Sequence, residues 1–405
     1  MNEGNGSHQK LNFRKIYSRG GNFDRILDFY VDYYGIDVIK DKQTVPSSLL
    51  HHYSLKAGNF IVAAIFNENY QFLVLRDPGK HGGWELPGGS VAPGENLEDA
   101  LFRIVERETG LETDETEPIA VIENHFVDGH REVVHRGLAW LVRARGKIRD
   151  SEISLAFVDN FRSVSKNLMY ANERILELAQ QKLSQKQILL AHDEIDVNRN
   201  RRLNYLIHEL TVAPLSKVFS SDRIKKIMKN YIGSAKTVLD VSCGDDKFIF
   251  EVCKSVELCV ANDVSRSVTA ALRRERNLPD NIIFTNHDAT DLPFSKKFDL
   301  VICKNTLHHM HNYEELVVLL DSLKKVGKRV LIVDVEDPSR STKRARFWNA
   351  YYRNFLGDRG GLFMTESEFR DVTSRNFPEW KLQFEKLETV KGNYLFLLAS
   401  GRSSK

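Results

Sequence analysis

Short apolar runs divide the chain into two rhythms. From Asn59 onward, "NFIVAAIF" and "QFLVLRD" are strand-like and are parted by the polar turn "NENY". A Gly-rich loop, "GGWELPGG", follows. "NLEDALFRIVERETG" then places Leu97, Leu101, Ile104 and Val105 at helical spacing and stops at Gly110. "EPIAVIENHFV" and "HRGLAWLVRARG" read as further strands, so this stretch is mixed α/β. Before it, "RILDFYVDYYGIDVI" predicts a helix running into a strand. After it, Leu168, Ala171, Ile175, Leu178, Ala179 and Leu183 line one face of a long amphipathic helix.

The second rhythm begins after a polar linker, "DEIDVNRNRRLN", and a helical stretch interrupted around Pro214. From Thr237, strands alternate strictly with helices: "TVLDVS", "KFIFEVCKS", "LCVANDV", "SVTAALRRER", "NIIFTNHD", "FDLVICKN", "YEELVVLLDSLKKV", "RVLIVDV". Apolar strands in such alternation predict a parallel, doubly wound sheet. The end breaks the rule, because "KLQFEKLETVKGNYLFLLAS" reads as an antiparallel hairpin. The predicted parts are an N-terminal extension (1–54), a mixed α/β domain (55–185), a helical linker (186–235) and a parallel-sheet domain (236–401).

Composition narrows little. Over 405 residues, 42% hydrophobic and 28% charged content with a net charge of +3 describe an ordinary globular chain. That balance neither demands nor excludes nucleic acid. The 4 cysteines form no C-x-x-C pair, which argues against a zinc site or a disulfide framework. The polar start "MNEGNGSHQK" has no apolar signal core, and no apolar run suffices for a bilayer span. We therefore expect a cytoplasmic protein with no membrane partner.

Candidate chemistry falls in two places. Between Gly89 and Leu111, the residues Gly89, Glu95, Arg103, Val105, Glu108, Gly110 and Leu111 stand in the register of the Nudix box. The stretch resembles the Nudix family, which implies a mixed α/β sandwich and magnesium-assisted cleavage of nucleotide-linked pyrophosphates. The resemblance also implies three helix glutamates as metal ligands. A helix turns about 100° per residue, so positions i, i+3 and i+4 share a face. Here those positions hold Ile104, Arg107 and Glu108, and only Glu108 can ligate a hard oxygen-seeking ion. Glu106 points elsewhere on the helix, while Glu152 on a distant loop offers a substitute carboxylate. Arg107 puts a cation where the dication would sit. It reads either as a phosphate clamp or as a solvated arginine.

"TVLDVSCGDDKF" resembles motif I of the class I S-adenosylmethionine (SAM)-dependent methyltransferases, a Rossmann-like fold. Asp240, Ser242, Gly244 and Asp246 occupy its acid and glycine positions, and Gly244 alone keeps a glycine. The resemblance implies that Asp263 binds the ribose hydroxyls and that Asp288 with Ala289 touch the adenine. It also places Lys304 and the following "NTLHHM" beside the methyl donor. His308 or His309 is then a candidate base, or else a packing element of its loop. Downstream, "DPSRSTKRARFWNAYYRNF" mixes Arg344, Arg346 and Arg353 with Trp348, Tyr351 and Tyr352. It suits an anionic or aromatic acceptor, a nucleic-acid patch, or only a solvated helix face.

These features point to a SAM-dependent methyltransferase acting on a small molecule, phosphate- or nucleotide-bearing, with a Nudix domain that binds or scaffolds without hydrolysing. Two alternatives stay open. One is a bifunctional enzyme with an active, magnesium-dependent Nudix site. The other is a module that senses SAM or a nucleotide and catalyses nothing.

Overall fold

The computed structural model describes residues 23–55, 58–76, 83–92, 95–129, 131–149, 154–158, 171–185, 222–244, 247–273, 275, 278–279, 281–340, 343–351, 360–389 and 392–401. Two compact units divide the chain, one of them Ser18–Ala191 and the other containing His192–Lys405. The interrupted helical stretch around Pro214 and the polar linker before it lie outside the described residues.

In the first unit, helix α1 (Phe23–Phe29) runs into a π-helical turn at Tyr30–Tyr34. Gly35 closes the turn at φ 66°, a backbone region that glycine enters without a Cβ penalty. Strand β1 (Asp37–Thr44) and helix α2 (Ser47–Leu55) follow. The sheet continues with β2 (Asn59–Phe66), β3 (Phe72–Arg76), β4 (Gly88–Ser90), β5 (Glu112–Asp128), β6 (Arg131–Arg145) and β7 (Ser154–Val158). Its order is β1-β5-β6-β2-β3-β7, with β4 paired to β2. Helix α3 (Leu97–Thr109) carries the box residues Arg103, Val105 and Glu108, and α4 (Asn172–Gln185) closes the unit.

The described residues before 55, from Phe23 onward, are thus part of this unit. β1 pairs parallel to β5 from Asp37↔Ala120 to Thr44↔Val127. Arg136 on β6 forms ion pairs with Asp24 at 3.0 Å and Asp28 at 3.3 Å, and Tyr30 packs edge-on to Trp140. A core cluster lies between the sheet and α4, where Ile119, Ile122, Leu141, Ile175 and Leu176 are buried.

The second unit begins, among the described residues, with α5 (Asp222–Ile232). Then come β8 (Thr237–Asp240), α6 (Phe248–Cys253), β9 (Leu258–Asn262), α7 (Arg266–Arg273), β10 (Ile282–Thr285) and β11 (Leu300–Lys304). A 3-10 turn at Leu307–His309 leads to α8 (Tyr313–Val326), β12 (Arg329–Val335) and α9 (Lys343–Tyr351). Helix α10 (Glu366–Asn376), β13 (Lys381–Thr389) and β14 (Gly392–Ser400) complete it. The sheet order is β10-β9-β8-β11-β12-β14-β13. The first five strands are parallel, and β14 and β13 are antiparallel to their neighbours, which is the expected terminal hairpin. Strand order reverses between β8 and β11. In open α/β sheets, ligands bind outside the carboxyl ends of the strands at such a point. Among the described residues no helix is long and apolar enough to cross a membrane.

Candidate functional sites

Helix α3 is fixed at both ends. Asn96 Oδ1 accepts the Glu98 N–H at 2.8 Å, and Gly110, at φ 76°, donates its N–H to Glu106 O. Its inner face, Leu97, Leu101, Ile104 and Val105, is buried, so the isoleucine at the first ligand position belongs to the core. Glu95 and Arg103 form a two-pronged ion pair, Nε to Oε1 and Nη2 to Oε2, both at 2.7 Å. Arg103 also donates to Ser90 O, and Ala92 N–H donates to Glu95. The hydrogen bond from Arg103 outweighs burial and holds the Glu95 carboxyl below the usual range. These two residues clamp the loop to the helix.

Arg107 is exposed and pairs with its own neighbour, Glu108. Its Nη2 lies 2.6 Å and its Nε 3.0 Å from Glu108 Oε1. The guanidinium lies close over Gly89: a Cβ built there would stand 3.1 Å from Arg107 Nη2 and 3.4 Å from Ile104 Cδ1. The one carboxylate left for a metal is therefore engaged by a neighbouring cation. Among the described residues, no group of three or more His, Cys, Asp or Glu could hold a metal ion. Glu152 lies outside the described residues. Beside Glu108 opens a cavity of about 190 Å³, lined among others by Phe60, Glu85, Gly89, Asn124 and Asn172.

At the switch point of the second unit, the loop after β8 turns at Gly244, φ 56°, and a Cβ there would meet nothing within 4 Å. Asp263 follows β9, and its Oδ2 accepts the Gly244 N–H at 2.9 Å while Oδ1 accepts Ser265 N–H at 2.9 Å. Asn262, fully buried, joins the neighbouring loops. Its Nδ2 donates to Val241 O and His287 O, and its Oδ1 accepts from Thr285 Oγ1 and His287 N. Asp288 accepts from Thr290 N and Oγ1 at the start of the turn that contains Ala289. Asp240 is buried at the end of β8, and Ser242 is half-buried in the next turn. Lys304 Nζ sits 5.9 Å from the Phe248 ring. Burial first, then the charges of Asp240 and Asp263, push the Cys243 thiol up and keep it inert.

The two histidines differ. His308 is buried and its Nδ1 is 2.6 Å from Asp334 Oδ1, at the end of β12. The Asp334 carboxylate also accepts the N–H groups of Leu307, His308 and Val335. Burial by itself would raise this carboxyl, but the His308 charge and hydrogen bond, with those backbone donors, hold it below the usual range. An acceptor-only carboxylate assigns the proton of that bond to His308 Nδ1. Phe363 stacks on the imidazole at 5.3 Å, and Gly361 N–H donates to His308 O at 2.7 Å. His309 is exposed.

The family model described as NUDIX domain matches residues 56–165, and that described as Methyltransferase domain matches residues 238–330. The chain carries a Nudix domain and a methyltransferase domain. An uncharacterized methyltransferase of Schizosaccharomyces pombe is 26% identical over 129 residues, 29% of this chain and 44% of that protein. The aligned stretch thus spans less than half the length of that curated relative. Among solved structures, a DhpI–SAH complex shares 17% identity at a TM-score of 0.37, covering 50% of this chain and 93% of that one. The magnesium protoporphyrin IX methyltransferase (ChlM) of Synechocystis PCC 6803 with bound SAH shares 16% at a TM-score of 0.34, covering 52% and 90%.

In the methyltransferase domain, Asp240, Ser242, Gly244, Asp263, Asp288, Ala289, Lys304 and His308 all lie on strand ends or in the loops that follow them. Asp246 lies outside the described residues. Asp334 was not singled out in the sequence, although "VLIVDV" ends its strand on an acid as "TVLD" does. In the Nudix domain, Asn124 was missed because it reads as one more residue of a strand. Within the basic-aromatic segment, α9 exposes Lys343, Arg346 and Phe347. The side chains of Arg344 and Trp348, and residues Tyr352 and Arg353, lie outside the described residues.

Proposed function

We propose that the protein is a SAM-dependent methyltransferase acting on a small molecule, phosphate- or nucleotide-bearing, and that its Nudix domain binds or scaffolds without hydrolysing. One observation carries the first part: Asp263 after β9 receives the N–H of Gly244 in the loop after β8, beside the switch point. The same turn has open space where a side chain would stand. These residues fit a cofactor that bears hydroxyls and positive charge. Asp240, Ser242, Gly244, Asp263, Asp288, Ala289 and Lys304 would hold it.

SAM supplies an activated methyl group when bound. The chain has then to align a nucleophile and, for a protic one, remove a proton. His308, oriented by Asp334, is our candidate for the proton acceptor. The exposed Arg346 and Phe347 on α9 suit an acceptor with anionic and aromatic parts. We place the protein in the cytoplasm, where its four buried, free cysteines would stay reduced.

The residues present do not fit magnesium at the Nudix box, because Glu108 is bonded to Arg107 and Ile104 is core. This favours a domain that has given up bond cleavage. Calorimetric titration of the full chain with SAM tests the main proposal. Saturable binding with one site is expected, and no heat at millimolar SAM would refute it. Magnesium-dependent phosphate release from nucleoside diphosphate derivatives would refute the non-hydrolytic reading.

A further inference from the structure

The stretch after β12 has a charge unlike the rest of the chain. Residues 338–357 hold Arg340, Lys343, Arg344, Arg346 and Arg353, and not one aspartate or glutamate. Those cations exceed the net +3 of the whole chain, so the remainder is net acidic. Interleaved with them are Phe347, Trp348, Tyr351, Tyr352 and Phe355. Cations attract phosphates and rings stack on bases, so this mixture is the composition that a nucleic-acid strand follows.

Helix α9 turns part of the stretch into a surface. It packs against β14 and against the 3-10 turn at Pro338–Arg340. Lys343, Arg346, Phe347 and Ala350 are exposed. They stand at i, i+3, i+4 and i+7, which is one face of a helix. Phe347 is 64% exposed, more than any other large apolar side chain among the described residues. A lone exposed ring needs no explanation. This one shares its face with two cations, and Ala350, one turn further on, adds only a methyl group beside it.

These properties select the occupant. An acidic peptide would answer the cations and leave the ring without a planar partner. An anionic membrane is gripped by a broad apolar face, and Phe347 is the only large apolar side chain of the four. Bases inside a duplex are already stacked on one another, whereas those of a single strand offer their faces to a ring.

We infer that the exposed face of α9 docks a single strand of RNA or DNA. A base stacks on Phe347, and Lys343 and Arg346 hold the flanking phosphates. This goes beyond the acceptor reading above, because the strand tethers the protein to a polymer whichever molecule is methylated.

Fluorescence anisotropy on the full chain tests this with labelled oligo-dT and oligo-U of about 12 nucleotides. Saturable binding is expected at about 50 mM salt, weakening as salt rises. Two phosphate contacts predict a slope of log K against log salt of about −1.4 or steeper, and Arg346→Ala should reduce its magnitude by about 0.7. Phe347→Ala should weaken binding about tenfold and leave the slope unchanged, while Phe347→Trp should keep the affinity. No saturable binding of either strand, wild-type affinity in Phe347→Ala, or equal affinity for the mononucleotides dTMP and UMP would each overturn the inference. Capture by phosphatidylserine vesicles that neither strand displaces would overturn it in favour of a membrane. If Phe347→Ala fails to fold, the Arg346→Ala slope and the mononucleotide comparison still decide. SAM titration of the same sample separates the two proposals, since SAM binding without strand binding overturns only this one.

Discussion

His308 and Asp334 bring together two groups from the ends of neighbouring strands and bury both. Removing the His308 ring takes a hydrogen-bond donor from the buried Asp334 carboxylate, so His308→Ala should cost the methyltransferase domain about 3 kcal/mol, read by urea unfolding at pH 7. The acid limb has a definite sign. The Asp334 carboxyl is held below its ordinary value in the folded chain. Its stabilisation is therefore complete above the unfolded value, about 3.9, and is lost as pH falls through the lower folded value. Asp334→Asn should remove that component from the slope of stability against pH below about 4. At this scale the sequence was legible where a motif named a partner. Glu95 and Arg103 stand in box register and do pair, and Ile104 extends the stripe of Leu97 and Leu101 into the core. It was silent on Asp334, because nothing local to a strand-ending acid says which loop will lie over it. It singled out Arg107 but did not name the partner, which is its own neighbour, Glu108.

Helix α3 shows how much an element depends on its ends. Asn96 is its cap, and without that side chain the Glu98 N–H loses its acceptor. Asn96→Ala should destabilise the Nudix domain by about 1 kcal/mol in urea titration, with no change in SAM affinity. Helices such as α8, Tyr313–Val326, were readable because their apolar spacing and capping asparagine are local signals. β1 was foreseen as a strand, yet its parallel pairing with β5 was not. That pairing joins Asp37 to Ala120 across most of the domain, and no short-range pattern encodes it.

Among the described residues, each compact unit owns a seven-stranded sheet and buried clusters of its own. The second sheet was legible nearly in full, since strict alternation followed by a hairpin admits few topologies. The first was not, because mixed parallel and antiparallel pairs leave no such rhythm. A ligand that binds only the folded state stabilises it by about 2.7 kcal/mol at a hundredfold excess over its Kd. Hydrogen exchange with SAM at that excess should therefore show the gain in the slowest amides of β8, β9 and β11. Protection appearing instead in β5 and β6 would contradict assigning the cofactor to the methyltransferase domain.

The single amide of Asn262 bonds to the backbone on either side of it, at Val241 and at His287. It behaves as a rivet through two plates. Whatever pulls the strip after β8 drags the strip after β10 by the same stroke, so the loops on that side of the crevice travel in step.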